Sequence, residues 1–205
     1  EMTSSLVGSE MCIRDSISGG QATRMGGINK AGVCFRGVPM GERIIKTLSK
    51  QAAQVWVSAN RDVDMFLKFG AKRVLKDRVE GSMGPLAGLE ALEGEVPSEV
   101  EWILISPCDV PLLPEGLSDF FISHYRETPA SILTIRVGGK FQNTTALIHR
   151  SVLGTLKETL QAGDRKVGLW MQRMGALPCD WAGDPLSFAN VNSKEELELL
   201  EKEAK

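Results

Sequence analysis

The sequence predicts an α/β fold: three layers, with a mostly parallel twisted sheet covered by helices on both faces. Three observations carry this. Short apolar runs alternate with segments of helical periodicity from residue 17 onward. The run Trp102-Ile103-Leu104-Ile105 is continuously apolar, as expected of a strand buried on both faces. A glycine-rich loop, Ser18-Gly19-Gly20, stands where a central strand would hand over to the next element.

The elements follow in order. Val55–Ser58 and Arg73–Leu75 are short strands, and residues 43–53 before them form a helix with Ile44, Ile45 and Leu48 on its inner face. A turn rich in glycine, Gly81-Ser82-Met83-Gly84-Pro85, opens a helix over 86–92. After the strand at 102–105, a helix spans 117–125 and a strand spans 132–137. The turn Gly138-Gly139-Lys140 leads to a strand at 145–148, so this hairpin adds an antiparallel member. Helices are expected over 152–161 and 167–174. A charged helix over 194–204 is capped by Ser193, with Glu195 and Glu196 in its first turn.

Residues 1–16 stand apart from the single domain read over 17–205. The stretch LVGSEMCIRDS resembles the translated sequence of a common transposase sequencing adapter. Arg14, Asp15 and Ser16 directly precede the glycine loop, where a central strand should be apolar, and a charge buried there would lack an evident partner. The expectation is a non-native N-terminal extension, with the native first strand mostly missing. No apolar core or cleavage pattern of a secretory signal occurs in it.

Composition narrows the function. A net charge of −2 argues against coating nucleic acid or an anionic membrane, and no apolar run is long enough to span a bilayer. The four cysteines are scattered, without a CxxC pair, so reduced thiols and a cytoplasmic location are expected. With only two histidines, chemistry built on histidine has little material.

The residues that carry chemistry lie where an α/β sheet binds ligands, beyond the carboxyl ends of its strands. The loop SGGQATRMGGINK exposes backbone N–H groups and carries Arg24 and Lys30, a combination suited to a triphosphate. It is neither a Walker A loop nor GxGxxG. Asp109, just past the most apolar strand, is placed to hold Mg²⁺ together with phosphate oxygens, although Pro111 and Pro114 also allow it to be a turn aspartate. Ser58-Ala59-Asn60-Arg61 could read a base edge or form a simple turn. Asp77 could accept from guanine N1–H and N2–H₂ or be a surface charge beside Lys76 and Arg78. The small residues of Gly84-Pro85-Leu86-Ala87-Gly88 let a helix start come close to a ligand. Asn190 and Asn192, two apart on an extended segment, share a side and suit a metal or substrate shell, or cap the last helix. Arg165 and Lys166 suit an anionic acceptor, or are a solvated pair after a helix end.

Taken together, SGGQATRMGGINK, SANR, GPLAG, SPCDVP, LQAGDRKVGLWM and FANVNSKEEL resemble the molybdenum cofactor guanylyltransferase family over residues 17–200. The resemblance implies a Rossmann-like fold of the nucleotide-diphospho-sugar transferase type. It implies transfer of GMP from GTP to molybdenum–molybdopterin, with Mg²⁺, giving the guanine dinucleotide cofactor and pyrophosphate. On the family pattern Ile17, Ser18, Gly19 and Gly20 hold GTP through the backbone, and Lys30 is the phosphate lysine. Asp77 contacts the base, Asp109 touches GTP and Mg²⁺, and Asn190 and Asn192 lie near the cofactor. Molybdoenzyme-maturation proteins are the expected partners of what is otherwise a monomer.

The sequence departs from that pattern in places. Ser58 stands where the family has its guanine-site asparagine, Asn60 is kept, the loop Phe141-Gln142-Asn143-Thr144-Thr145 lacks a proline, and ISGG replaces an LAGG-like strand end. Two alternatives remain: a related transferase using CTP or a sugar phosphate, and a non-catalytic nucleotide-binding module. A phosphate monoester acceptor is already anionic, so the transfer needs positioning and charge neutralisation by Lys30, Arg24 and Asp109 more than a general base. The expectation is that Lys30 and Asp109 face each other across the rim of one sheet.

Overall fold

The computed structural model describes residues 29–78 and 84–204, together with the backbone of residues 11–14. Nine strands and seven helices follow in chain order among them. They are β1 (Met11–Arg14), β2 (Cys34–Phe35), β3 (Val38–Pro39), α1 (Met40–Ser49), β4 (Val55–Ser58), α2 (Val63–Lys68), β5 (Arg73–Leu75) and α3 (Pro85–Glu90). Then come β6 (Trp102–Pro107), α4 (Leu117–Glu127), β7 (Ile132–Val137), β8 (Lys140–His149), α5 (Thr155–Gln161), α6 (Val167–Arg173), β9 (Leu177–Asp180) and α7 (Lys194–Glu203).

Seven strands form one sheet in the order β5-β4-β1-β6-β8-β7-β9. β5, β4, β1 and β6 are parallel neighbours, and β8 alone runs against both of its neighbours, β6 and β7. The Gly138-Gly139 turn therefore reverses the chain as expected. β8 begins earlier than its apolar residues suggest, because its polar first half pairs with the end of β7. The register jumps from Thr134↔Ala146 to Ile135↔Gln142, so Asn143, Thr144 and Thr145 form a bulge.

Alternation along the strands splits the core into two layers. Val55, Val57, Trp102, Leu104, Leu133 and Leu147 pack with Ile44, Ile45, Leu48, Phe66, Leu117 and Phe121, from α1, α2 and α4. Trp56, Ile103, Ile105, Ile132 and Ile148 pack on the other face with Leu86, Leu89, Leu156, Leu160, Trp170 and Met171, from α3, α5 and α6. Every residue of β6 is buried, which explains its unbroken apolar run.

Several elements differ from the sequence expectation. α1 begins at Met40, directly after Pro39, because Met40 is buried in a third cluster with Phe35, Val191 and Leu200. The helix expected at 152–161 is a 3-10 turn, Arg150–Val152, followed by α5. α2 and β9 were not anticipated. α2 has six residues and starts behind Asp62, whose φ is 56°, and β9 contains Pro178 at the edge of the sheet.

The central slot expected to lack its strand is filled by β1, from within residues 1–16. Ladder bonds are made by the backbone, and Arg14 falls at the strand's end, in register with Ser58 and Pro107. No helix among the described residues is long and apolar enough to cross a membrane.

Candidate active site

The carboxyl ends of β4, β5 and β6 bring two groups of side chains to one rim of the sheet. The first group is built around Asp109, two residues past β6. Asp109 is only 3% exposed, and its backbone carbonyl accepts from Val191 N–H at 2.8 Å. Lys30 Nζ lies 3.4 Å from Asp109 Oδ2 and donates to Asn192 Oδ1 at 2.7 Å. Lys30, Asp109 and Asn192, far apart in sequence, therefore meet at one point.

Local chemistry explains how Lys30 gets there. Asn29 caps the 3-10 turn Lys30–Gly32 by accepting from Ala31 N–H, and its amide donates to Asp62 Oδ2 at 2.9 Å. The turn then rests on α1 at Gly41. A Cβ built there would stand 2.8 Å from the Cβ of Ala31, so only glycine permits this approach. Asn29 was not singled out from the sequence, although an asparagine two residues before a backbone donor is a recognisable turn signal.

The electrostatics of Asp109 are set by burial. Loss of water pushes its carboxyl above the ordinary range, and the nearby Lys30 ammonium opposes that shift. Its Oδ1 is buried and has no hydrogen-bond partner. A buried carboxylate oxygen without a donor fits contact with a cation. Among the described residues no three His, Cys, Asp or Glu side chains gather, so a metal here would rest on Asp109 and on ligand oxygens.

The second group is Ser58, Asn60 and Asp77. Ser58 Oγ donates to Asp77 Oδ1 at 3.4 Å, and Asn60 Nδ2 donates to Asp77 Oδ2 at 3.0 Å. Asp77 N–H returns a bond to Asn60 Oδ1 at 3.0 Å. The pair Asn60–Asp77 is thus held at both ends, and the carboxylate has a fixed orientation with lone pairs to spare.

The other expected site residues are placed as follows. Asn190 is exposed, with buried Val191 between it and Asn192. Arg165 Nη1 is engaged by the carbonyls of Leu160 and Asp164, at 2.6 and 3.1 Å, so it closes the end of α5. Lys166 is exposed at the N-cap of α6. The loop bearing both lies beside Gly84, whose Cβ would stand 3.8 Å from Arg165 O, and Gly168 lies against Asn143 of the β8 bulge. The GPLAG turn, the bulge and the Asp164-Arg165-Lys166 loop therefore share one region. Ile17, Ser18, Gly19, Gly20 and Arg24 lie outside the described residues. Glu196, whose sequence pattern marks only a first-turn residue of the last helix, accepts from Asn192 N–H at 2.6 Å.

Comparison with known proteins gives the site its family. A family model described as the MobA-like NTP transferase domain matches residues 17–177. A molybdenum cofactor guanylyltransferase of Shewanella loihica is 32% identical over 184 residues, covering 90% of this chain and 92% of that protein. One of Photobacterium profundum is 34% identical over 182 residues, covering 89% and 91%. The fold matches the crystal structure of molybdopterin-guanine dinucleotide biosynthesis protein A from Archaeoglobus fulgidus, with a TM-score of 0.75, 16% identity and coverage of 94% and 97%. The chain belongs to the MobA-like NTP transferase family and, within it, to the molybdenum cofactor guanylyltransferases, which makes it a nucleotidyltransferase.

Proposed function

We propose that this enzyme transfers GMP from GTP to the terminal phosphate of molybdenum–molybdopterin. An acceptor phosphate oxygen forms the new bond to the α-phosphorus. The bond from that phosphorus to the bridging oxygen of the β-phosphate breaks, and the electron pair leaves with pyrophosphate. The observation that carries this reading is the Lys30–Asp109 pair, a half-buried cation 3.4 Å from a buried carboxylate at the strand ends.

Lys30 neutralises charge on the β- and γ-phosphates, held in place by Asn192. Arg24 adds a second cation on the loop that opens with Ile17, Ser18, Gly19 and Gly20, whose backbone N–H groups serve the phosphates. Asp109 is the residue that would hold Mg²⁺, through its unpartnered Oδ1. When bound, Mg²⁺ neutralises phosphate charge and polarises the α-phosphoryl group. Asp77, oriented by Ser58 and Asn60, accepts from the guanine edge. Asn190 and Lys166, with Arg165 shaping the loop, receive the acceptor.

One observation favours a second reading. Ser58 stands at the base pocket where the family pattern has asparagine, and its hydroxyl reaches Asp77. That arrangement leaves CTP or a sugar-phosphate acceptor as the rival. Pyrophosphate release measured with GTP, CTP and ATP, with molybdopterin as acceptor, decides between them. Turnover with GTP alone supports the proposal, CTP preference supports the rival, and binding without turnover removes the catalytic reading.

The same proposal places the enzyme in the cytoplasm as a monomer that passes its product to molybdoenzyme-maturation proteins. It takes residues 1–16 as a non-native extension before the transferase domain at 17–205, and the genomic sequence of the locus tests that division.

A further inference from the structure

The segment that meets Lys30 and Asp109, Val191 and Asn192, directly precedes α7 and lies beyond the residues matched by the family model. It touches the site twice and is braced internally by a third bond. Val191 N–H donates to Asp109 O at 2.8 Å, Asn192 Oδ1 accepts from Lys30 Nζ at 2.7 Å, and Asn192 N–H donates to Glu196 Oε2 at 2.6 Å. The backbone of Glu196 is fixed in turn, because its own N–H donates to Ser193 Oγ at 3.1 Å. The helix behind it is anchored on the chain that follows the Lys30 turn. Leu200 and Ala204 pack with Phe35 and Met40, and Arg36 bonds Glu201 through its backbone N–H and its guanidinium.

We propose that Glu196 is a positioning residue for the transfer. By accepting the Asn192 N–H it fixes the backbone from which the Asn192 side chain grips Lys30, and so sets where the Lys30 ammonium stands relative to Asp109. A carboxylate is a stronger acceptor of a backbone N–H than a neutral oxygen, and it sits favourably in the first turn of a helix. Without it Asn192 can rotate, and Lys30 loses its shortest partner. Nothing in this role needs Glu196 to touch substrate. The inference rests on the proposed role of Lys30 only for its effect on turnover.

The test uses Glu196→Ala and Glu196→Gln in the full chain, with two readouts. The first is the rate at which Lys30 is acetylated by an amine-reactive ester, followed by mass spectrometry with Lys46 and Lys166 as internal references. Glu196→Ala should raise the Lys30 rate about threefold or more relative to those references, and Glu196→Gln, which keeps an acceptor oxygen, should restore most of the protection. The second is steady-state turnover with Mg²⁺–GTP and molybdopterin. There Glu196→Ala should lose about tenfold in kcat with a smaller change in KM, again largely recovered by Glu196→Gln. Unchanged Lys30 acetylation in Glu196→Ala overturns the inference, as does a Glu196→Gln variant no better than alanine. If the parent fails to turn over GTP while the acetylation pattern holds, the guanylyl reading is at fault and the positioning role stands.

Discussion

Lys30 Nζ and Asp109 Oδ2 are 3.4 Å apart, although 79 residues separate them in the chain. The pair is asymmetric: the lysine side chain keeps 27% of its exposure and the carboxylate only 4%. The lysine is therefore open to a phosphate on its exposed side, whereas the carboxylate stays where burial put it. Asp109 is the fixed partner, and its chemistry should be legible in both stability and metal response.

Burial raises the Asp109 pKa from its ordinary 3.8, so the folded chain binds this proton more tightly than the unfolded one. The resulting contribution to stability is present below the unfolded value and is lost as pH rises through the folded value. Asp109→Asn should thus match the parent's denaturant midpoint at acid pH and exceed it at neutral pH. Titrating the midpoint of both proteins across that window checks the sign. Mg²⁺ should raise the melting temperature of the parent and leave Asp109→Asn unmoved, while turnover falls about 100-fold or more.

Lys30→Ala should weaken GTP binding about 10- to 100-fold, as expected for loss of a charge-assisted contact to phosphate. Isothermal titration with GTP and with guanosine separates this from a folding defect. The nucleoside, which has no phosphates, should bind both proteins alike.

At the base pocket, Asp77→Ala should lower kcat/KM for GTP about 10- to 100-fold and for ITP by less, because ITP keeps the N1–H donor and lacks the 2-amino one. Asn60→Ala should act in the same direction, more weakly, because it frees the carboxylate without removing it. A GTP-to-ITP ratio unaltered by either change would remove Asp77 from the base site.

Gly41→Ala tests the route from packing to site. The added methyl would sit 2.8 Å from Ala31 Cβ and 3.1 Å from Ala31 O, so the turn carrying Lys30 must shift. A loss of about 1–3 kcal/mol in stability is expected from such overpacking, accompanied by reduced turnover. Urea denaturation and pyrophosphate release measure the two effects.

The thiols should differ sharply. Cys34 is exposed, while Cys179 is fully buried and its thiol is pushed up to about 11 by burial, with Asp180 adding to the effect. At pH 7.5 a maleimide should label Cys34 and leave Cys179 unmodified until the chain is unfolded, as peptide mapping would show.

The sequence by itself determined the architecture wherever a segment's own pattern was decisive. The four-residue apolar strand Val55–Ser58, the buried run of β6 and the Ser193 cap of α7 were all legible, because burial on both faces and capping leave local signatures. Asp109, Asn60 and Asp77 were legible as residue types just past strand ends, and Lys30 as a cation of the glycine-rich loop. Tertiary structure alone decided what contacts what. That Asn192 holds Lys30, that Asn60 and Asp77 bond reciprocally, that Arg165 turns back onto α5, and that Met11–Arg14 occupies the central slot all depend on partners distant in sequence or on backbone pairing. Such partners leave no periodicity in either segment, so only the assembled sheet brings them together.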